Sequence, residues 1–150
     1  MTDTAEYKYD VFVTYSSADQ DWVWQWLVPR LKQAGLTVCT DRECFDVGVP
    51  LLVNMENAVA ASRHTLLVLS LAWMESDWAG FESLLVQYHD PEGLLQRTLP
   101  VLHEHCELPR RIAMLAHADL TGDVDVEVEF SKLLDAIRGT RRLPPAEEVE

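Results

Sequence analysis

The chain has 150 residues, of which 48% are hydrophobic, so it is long and apolar enough for one compact domain with a buried core. Its 12 lysines and arginines against 25 aspartates and glutamates give a formal net charge of −13, which argues against direct binding to nucleic acid or to an anionic membrane. The three cysteines are widely spaced, the N-terminus is polar and no apolar run reaches membrane-spanning length. We therefore expect a cytoplasmic protein without a disulfide framework.

The first elements of the chain are a strand and a helix. Residues 10–15 predict a buried strand, because β-branched and aromatic side chains dominate them. Gly35 is placed to end the helix that follows, and Pro29 inside it predicts a bend, because proline lacks a backbone donor. This helix is predicted from apolar residues at helical spacing: Val23, Leu27, Leu31 and Ala34.

Strand and helix signals continue to alternate along the chain. Residues 36–40 predict a second strand, and a long loop follows over 41–50. The nearly all-apolar run 64–70 is typical of a central parallel strand that is covered on both faces. The remaining predictions are a helix over 52–61, a helix from 76 or 77 to Tyr88, a strand over 98–102, a short helix over 109–115, a strand over 116–120, and a last helix with Phe130, Leu133, Leu134 and Ile137 on one face, closed by Gly139.

This alternation predicts parallel βαβ units. The expected fold is therefore α/β, a flavodoxin-like doubly wound sheet of five parallel strands with helices on both faces. Residues 1–7 are interpreted as a polar lead-in, 8–139 as the domain, and 140–150 as a flexible tail or a linker towards a missing domain. Ligands of such sheets bind beyond the carboxyl ends of the strands, so three loops should surround one crevice: residues 16–20, 41–50 and 70–77.

Three sequence boxes occur in a characteristic order. The first covers residues 9–16, the second covers 35–48 with Asp41-Arg42 in its loop, and the third joins 62–70 to Trp78-Ala79-Gly80-Phe81-Glu82. Over roughly residues 8–139 these boxes resemble, in order and separation, those of TIR (Toll/interleukin-1 receptor/resistance protein) domains of the bacterial, NAD-cleaving type. The resemblance implies the TIR fold, in which the loop that ends the second box is called the BB loop.

The same resemblance implies an activity and a site. The activity is cleavage of NAD⁺ at the nicotinamide–ribose bond, with NAD⁺ as substrate, no cofactor and no metal. Glu82 corresponds to the catalytic carboxylate. The implied substrate-binding residues are Trp78, Tyr15, Ser16, Asp41, Arg42 and Leu51. The implied BB-loop interface for self-association comprises Asp46, Val47, Gly48, Val49 and Pro50.

The chemistry explains why one carboxylate suffices. Nicotinamide leaves NAD⁺ as a neutral molecule from a cationic pyridinium, so no general acid has to protonate it, unlike ordinary glycosides. Positive charge grows on the ribose in an oxocarbenium-like transition state. A single well-placed carboxylate can stabilise that charge and hold the ribose hydroxyls.

Several of these residues also have a purely structural interpretation. Glu82 near a helix start interacts favourably with the helix dipole, and Trp78, one turn earlier, can pack beneath the helix instead of shaping a nicotinamide pocket. Asp41 and Arg42 can form a loop ion pair of small energetic effect. Ser16-Ser17 stands where several NAD-cleaving relatives have basic residues, which leaves the contacts to the pyrophosphate unassigned.

Two further features lie outside the three boxes. His103-Glu104-His105-Cys106 has the residue types of a metal site but lacks a second pair of ligands, so no metal is expected there. Trp22 and Trp26 share one helical face, whereas Trp24 points elsewhere. Trp24 therefore indicates a contact with another subunit or domain, or burial beneath a neighbouring loop.

Three hypotheses for function follow. The first is a NAD⁺ glycohydrolase, or an ADP-ribosyl cyclase, acting as the effector domain of a bacterial anti-phage defence or signalling protein, with a fused or partner sensing domain and activation by self-association. The alternative is a non-catalytic TIR–TIR interaction module, for which the BB loop matters and Glu82 does not. A third hypothesis is base exchange at the N-ribosyl bond.

Overall fold

The computed structural model describes residues 7–87 and 97–139, with the backbone alone for 83–87. The sheet has five parallel strands in the order β2-β1-β3-β4-β5, which is the flavodoxin-like order and confirms the predicted fold class. The predicted lead-in and tail, apart from Tyr7, and the predicted helix end at Tyr88 lie outside the described residues. The strands are β1 (Tyr9–Thr14), β2 (Val38–Cys39), β3 (Ser62–Leu69), β4 (Thr98–Leu102) and β5 (Ala118–Asp119).

Helical segments connect these strands and cover both faces of the sheet. A 3₁₀ turn (Ser17–Asp19) and a π-helical segment (Val23–Leu27) accompany the first connection. The α-helices are α1 (Gln20–Trp22), α2 (Val28–Gln33), α3 (Asp41–Cys44), α4 (Leu51–Ala61), α5 (Leu71–Ser76), α6 (Trp78–Gln87), α7 (Arg110–Ala113) and α8 (Val126–Arg138).

Alternate residues of each central strand face opposite sides of the sheet, because the side-chain period of a strand is two. Val11 and Val13 of β1 and Leu66 and Val68 of β3 join one buried cluster, with α2, the π-helical segment and α8. Phe12 of β1 and Leu67 and Leu69 of β3 lie on the other side of the sheet. They join a second buried cluster with residues of α4, α5, α6 and α7. This double burial explains why the run 64–70 is almost wholly apolar.

Pro29 lies where the π-helical segment meets α2, and a wider helical turn accommodates it. The five residues before α2 form a π-helical turn in which Val28 N–H donates to Val23 O, and Pro29 lies at the start of α2. A wider turn absorbs the missing donor and the ring of the proline without a break between the two segments. Val23, Leu27 and Leu31 are all fully buried, as their spacing predicts.

Pro100 is accommodated inside β4 by the shortness of β5. Arg97 O accepts from Thr65 N, and His103 N donates to Leu69 O. The backbone N–H and C=O groups of the odd-numbered residues along β4 therefore point towards β3. The backbone groups of the even-numbered residues point towards β5, whose two residues pair with Val101 and Leu102. The missing N–H of Pro100 therefore points to a side where β5 offers no partner.

Two loop predictions were wrong in part. Residues 71–76 form α5, because Ser70 caps it by accepting a hydrogen bond from Trp73 N at 3.1 Å. The loop predicted over 41–50 begins with α3, and β2 is only two residues long. The last helix is confirmed, with Asp125 as its N-cap and Gly139 in a left-handed conformation (φ +72°) at its end.

Candidate functional site

The loops after β1, β2 and β3 meet at the carboxyl edge of the sheet. Tyr15 Oη donates to Asp41 Oδ1 at 2.7 Å, which joins the loop after β1 to α3. Ser70 Oγ donates to Asp19 Oδ2 at 2.5 Å, which joins the same loop to the start of α5. The structure thus brings together the three loops that the sequence predicted to lie side by side, and Tyr15 and Asp41, two of the predicted substrate-binding residues, are hydrogen-bonded to each other.

Tyr15, Trp24, Asp41 and Arg42 form a closed ring of contacts, here called the Tyr15 cluster. Trp24 Nε1 donates to Tyr15 Oη at 2.7 Å, and Arg42 lies over the Trp24 ring at 4.8 Å from its centroid. Asp41 Oδ1 also accepts from the backbone N of Arg42 at 2.9 Å. Burial, together with the hydrogen bond to Asp41, raises the pKa of Tyr15 to about 12. Tyr15 therefore stays a neutral donor at physiological pH.

This cluster shows the surroundings of two residues for which the sequence allowed more than one interpretation. Arg42 stacks on Trp24, and no ion pair of the described residues joins its guanidinium to Asp41. Trp24 is half-buried against the core, and its indole N–H is bonded to Tyr15 on the loop after β1, so both interpretations of this tryptophan stay open.

A second cluster at the same edge is centred on Asp19 and was not predicted. His103, which directly follows β4, has its Nε2 atom 3.7 Å from Asp19 Oδ1, and its ring stacks on Trp22 with centroids 4.1 Å apart. Burial raises the pKa of Asp77, and the negative charge of Asp19 adds to that rise. The one signal of this cluster in the sequence is that Ser70 and His103 each directly follow a strand. Their shared partner, Asp19, is distant from both in the chain.

Glu82 is exposed in the second turn of α6. The preceding residue, Phe81, is 1% exposed in the core, so the helix turns Glu82 away from it. Trp78 is half-buried and lies 6.0 Å from the fully buried Trp73, between ring centroids. Its ring thus packs under the helix, as the structural interpretation of this tryptophan expects. The ring is also partly accessible, on the same helix as Glu82.

The remaining predicted residues have differing environments. Ser16 is buried, and its hydroxyl accepts from Ala18 N at 3.2 Å, so it caps the 3₁₀ turn. Leu51, the first residue of α4, is 67% exposed. In the BB loop, Val47 is fully exposed and Gly48 has φ +88°, a conformation that favours glycine.

Asn54 holds the BB loop in place and was not among the residues predicted from the sequence. It is 6% exposed, and its Oδ1 accepts from Asp46 N at 3.0 Å. Its Nδ2 donates to Asp46 O at 3.1 Å and to Val49 O at 3.4 Å. One buried amide therefore satisfies both ends of the loop.

The two histidines after β4 have different partners. Whereas His103 faces Asp19, His105 Nε2 lies 2.5 Å from Asp123 Oδ2 on the loop after β5. Within residues 7–87 and 97–139, no group of three or more His, Cys, Asp or Glu side chains is placed to hold a metal ion. In the same part of the chain, none of the helices combines the length and apolar character needed to cross a bilayer.

A five-stranded parallel sheet in the order β2-β1-β3-β4-β5, covered by helices on both faces, defines a doubly wound α/β domain of the flavodoxin-like class. The model of the TIR domain family matches residues 11–134, and the chain therefore belongs to that family. This confirms the resemblance on which the sequence prediction rested.

Several known proteins are similar to parts of this chain. Toll-like receptor 13 of Mus musculus is 36% identical over 80 residues, which is 51% of this chain and 8% of that protein. The probable 2' cyclic ADP-D-ribose synthase TcpO of Methanobrevibacter olleyae is 28% identical over 65% of this chain and 28% of its own length. The NAD(+) hydrolase TcpA of a Theionarchaea archaeon is 32% identical over 66% of this chain and 30% of its own length. The chain thus spans less than a third of each.

Solved structures agree on the fold. The TIR domain of the Toll-related receptor TRR-2 from Hydra magnipapillata superposes with a TM-score of 0.75 at 24% identity, covering 87% of this chain and 99% of that one. A metazoan TIR-STING receptor from C. gigas gives a TM-score of 0.68 at 22% identity, covering 92% of this chain and 42% of the receptor.

Proposed function

We propose that this domain is a NAD⁺ glycohydrolase that cleaves the nicotinamide–ribose bond, with Glu82 as its catalytic carboxylate. The observation that carries the proposal is the Trp78-x-x-x-Glu82 pair on α6. Its tryptophan is partly accessible, and its carboxylate is exposed on the helix that starts directly after Asp77. The products would be nicotinamide and either ADP-ribose or a cyclic ADP-ribose isomer, depending on whether water or the adenine captures the ribose.

The charge of the carboxyl edge suits this reaction. Asp19, Asp41 and Asp77 all lie in the loops that meet there, and the pKa of Asp77 rises partly through the charge of Asp19. Negative potential stabilises the positive charge that develops on the ribose in the transition state. The same potential opposes binding of the two substrate phosphates, so a local cation is needed.

The relatives support the same activity. Two of the archaeal proteins are named for NAD(+) hydrolysis and 2' cyclic ADP-D-ribose synthesis, and both match about two thirds of this chain. We extend the proposal to the whole protein: a bacterial anti-phage defence or signalling effector, cytoplasmic, with a fused or partner sensing domain and activation through TIR–TIR contacts at residues 46–50. Domain clustering on an oligomeric carrier should then raise the specific activity per domain.

The direct test is release of nicotinamide from NAD⁺ at high protein concentration. Glu82→Gln should lower the rate at least about 100-fold, as expected when one preorganised electrostatic group is lost at a transition state. Glu75→Gln is the matched control, because Glu75 is also exposed and lies on the neighbouring helix α5. Equal rates for Glu82→Gln and wild type, or no turnover by folded wild type even when clustered, would refute the proposal.

Product separation then defines the reaction further. Chromatography of the second product distinguishes ADP-ribose from a cyclic isomer. Addition of a free pyridine base tests base exchange, because a new dinucleotide would accumulate in place of ADP-ribose.

A second candidate function is docking to other TIR domains without catalysis. It is favoured by one observation, an exposed apolar patch on the BB loop and the first turn of α4, formed by Val47, Leu51, Leu52 and Val53. Under this hypothesis Val47→Asp abolishes self-association measured by light scattering, while Glu82→Gln leaves every function of the protein intact. Val124→Asp, another exposed valine outside the patch, is the control.

A further inference from the structure

Arg42 places a positive charge at the acidic carboxyl edge of the sheet. It lies in the first turn of α3, directly after β2, and its side chain is exposed. Three of the other basic side chains, Arg30, Lys32 and Lys132, have carboxylate partners. None of the ion pairs in residues 7–87 and 97–139 includes Arg42. Its charge is therefore available to an anionic ligand.

The Tyr15 cluster fixes the position of this guanidinium. Arg42 lies 4.8 Å over the centroid of Trp24, whose indole N–H is bonded to Tyr15, and Tyr15 in turn is bonded to Asp41, the residue beside Arg42. A cation–π contact of this kind uses the charge of the guanidinium without using its N–H donors in a hydrogen bond, so these donors can still bind an anion. An arginine that is ordered before the ligand arrives loses less side-chain entropy on binding.

We propose that Arg42 binds the pyrophosphate of the dinucleotide substrate and that Trp24 is the residue that positions it. The inference rests on the proposed NAD⁺ cleavage and answers the question left by Ser16-Ser17, where no basic residue follows β1. In a chain of net charge −13, a dianionic group needs a local cation, and the planar fork of arginine matches phosphate oxygens.

The kinetic test compares two substrates with the same scissile bond. NAD⁺ carries the pyrophosphate, whereas nicotinamide riboside has no phosphate. Arg42→Gln should raise KM for NAD⁺ roughly tenfold or more, as for loss of a charged hydrogen bond, and leave kcat/KM for the riboside unchanged. Arg42→Lys should recover part of the affinity, and Trp24→Phe, which keeps a ring but loses the bond to Tyr15, should raise KM about threefold.

Arg63→Gln is the control for charge. Arg63 also lies over an aromatic ring, Tyr7 at 5.6 Å, but it is the second residue of β3 and so lies at the opposite edge of the sheet. It should leave KM for both substrates unchanged. Equal losses of Arg42→Gln on NAD⁺ and on the riboside, or no loss on either, would overturn the role in pyrophosphate binding.

A binding experiment separates this inference from the proposed function. ADP-ribose carries the pyrophosphate and lacks the scissile bond, so its affinity, measured by calorimetry, does not depend on catalysis. If wild type binds ADP-ribose at least tenfold more tightly than Arg42→Gln, the phosphate role stands even where NAD⁺ is not cleaved. If NAD⁺ is cleaved but ADP-ribose affinity and KM are the same in Arg42→Gln, or if wild type does not bind ADP-ribose, the role is refuted.

Discussion

Ser70 donates a hydrogen bond of 2.5 Å from its Oγ to Oδ2 of Asp19, and the same oxygen of Ser70 accepts from Trp73 N at 3.1 Å. One hydroxyl therefore caps α5 and ties it to the loop after β1. Since α6 with Glu82 follows α5 after a single residue, Asp77, this bond fixes the origin of the helix that carries the candidate carboxylate. The carboxyl edge is thus held by side chains rather than by the sheet alone.

The first prediction concerns Asp19. Asp19→Ala should lower the free energy of unfolding by about 1–3 kcal/mol, because it leaves a buried hydroxyl without its acceptor and a half-buried histidine without its carboxylate. Urea denaturation measures the change. Asp21→Ala removes the same charge from an exposed position two residues later and should stay within about 0.5 kcal/mol of wild type. Equal stability of the two variants would contradict a structural role for the Asp19–Ser70 bond.

Elements defined by local pattern were predictable from the sequence. The apolar run of β3 and the spacing of Phe130, Leu133 and Ile137 in α8 carry their own period, and all of these helix residues are buried. The helix α5 was missed because its start depends on Ser70 acting as a cap rather than as the end of a strand, and six residues are too few to show a helical period.

The second prediction concerns the order of the BB loop. Asn54→Leu keeps the volume of the buried side chain but leaves Asp46 N without its acceptor, and it removes the amide donor to Asp46 O, which keeps only its bond from Val49 N. We expect a loss of about 1–3 kcal/mol in the free energy of unfolding and faster amide hydrogen exchange in the BB loop. The exposed Asn57, on the same helix, provides the control Asn57→Leu. Unchanged amide hydrogen exchange at Asp46 and Val49 in Asn54→Leu would show that the BB loop keeps its conformation without the Asn54 side chain.

The third prediction follows from the pKa of Tyr15. Burial, with the hydrogen bond to Asp41, raises that pKa from 10.0 to about 12, so the folded state prefers the neutral phenol. This contribution to stability is complete below pH 10 and is lost as the pH rises from 10 to 12. Tyr15→Phe should therefore remove one tyrosinate absorbance step near pH 12 and flatten the fall of the unfolding free energy in that window.

Tyr9 provides the internal reference for this titration. Its pKa is also raised to about 12, through a hydrogen bond with Cys44 and through burial, so Tyr9→Phe should remove a second step of the same kind and leave the Tyr15 step in place. A Tyr15 step found near pH 10 would mean that neither the burial of Tyr15 nor its bond to Asp41 persists in solution.

The contacts at the site that could not be predicted from the sequence join residues that are far apart in the chain. Trp24 and Arg42 are 18 positions apart and His103 and Asp19 are 84 apart, so nothing in either neighbourhood marks the pair before the chain folds. Asn54 has the same difficulty at shorter range, because an asparagine inside an apolar helix is ordinarily assigned to the exposed face. A family resemblance identifies residues that match its motif, such as Trp78 and Glu82, and is silent on residues that hold those motifs in place.

The last prediction contrasts two glycines. Gly80 lies in α6 without a positive φ, and a Cβ added there meets nothing within 4 Å, so Gly80→Ala should raise the free energy of unfolding by about 0.5–1 kcal/mol through helix propensity. Gly48 also has open space around a Cβ, but its φ of +88° is strained for any L side chain, so Gly48→Ala should lower the free energy by about 1–2 kcal/mol. Urea denaturation of both variants tests this. Because free space is the same at both sites, opposite signs isolate the backbone conformation as the cause, whereas a loss of stability in Gly80→Ala would mean that α6 does not tolerate a methyl group two residues before Glu82.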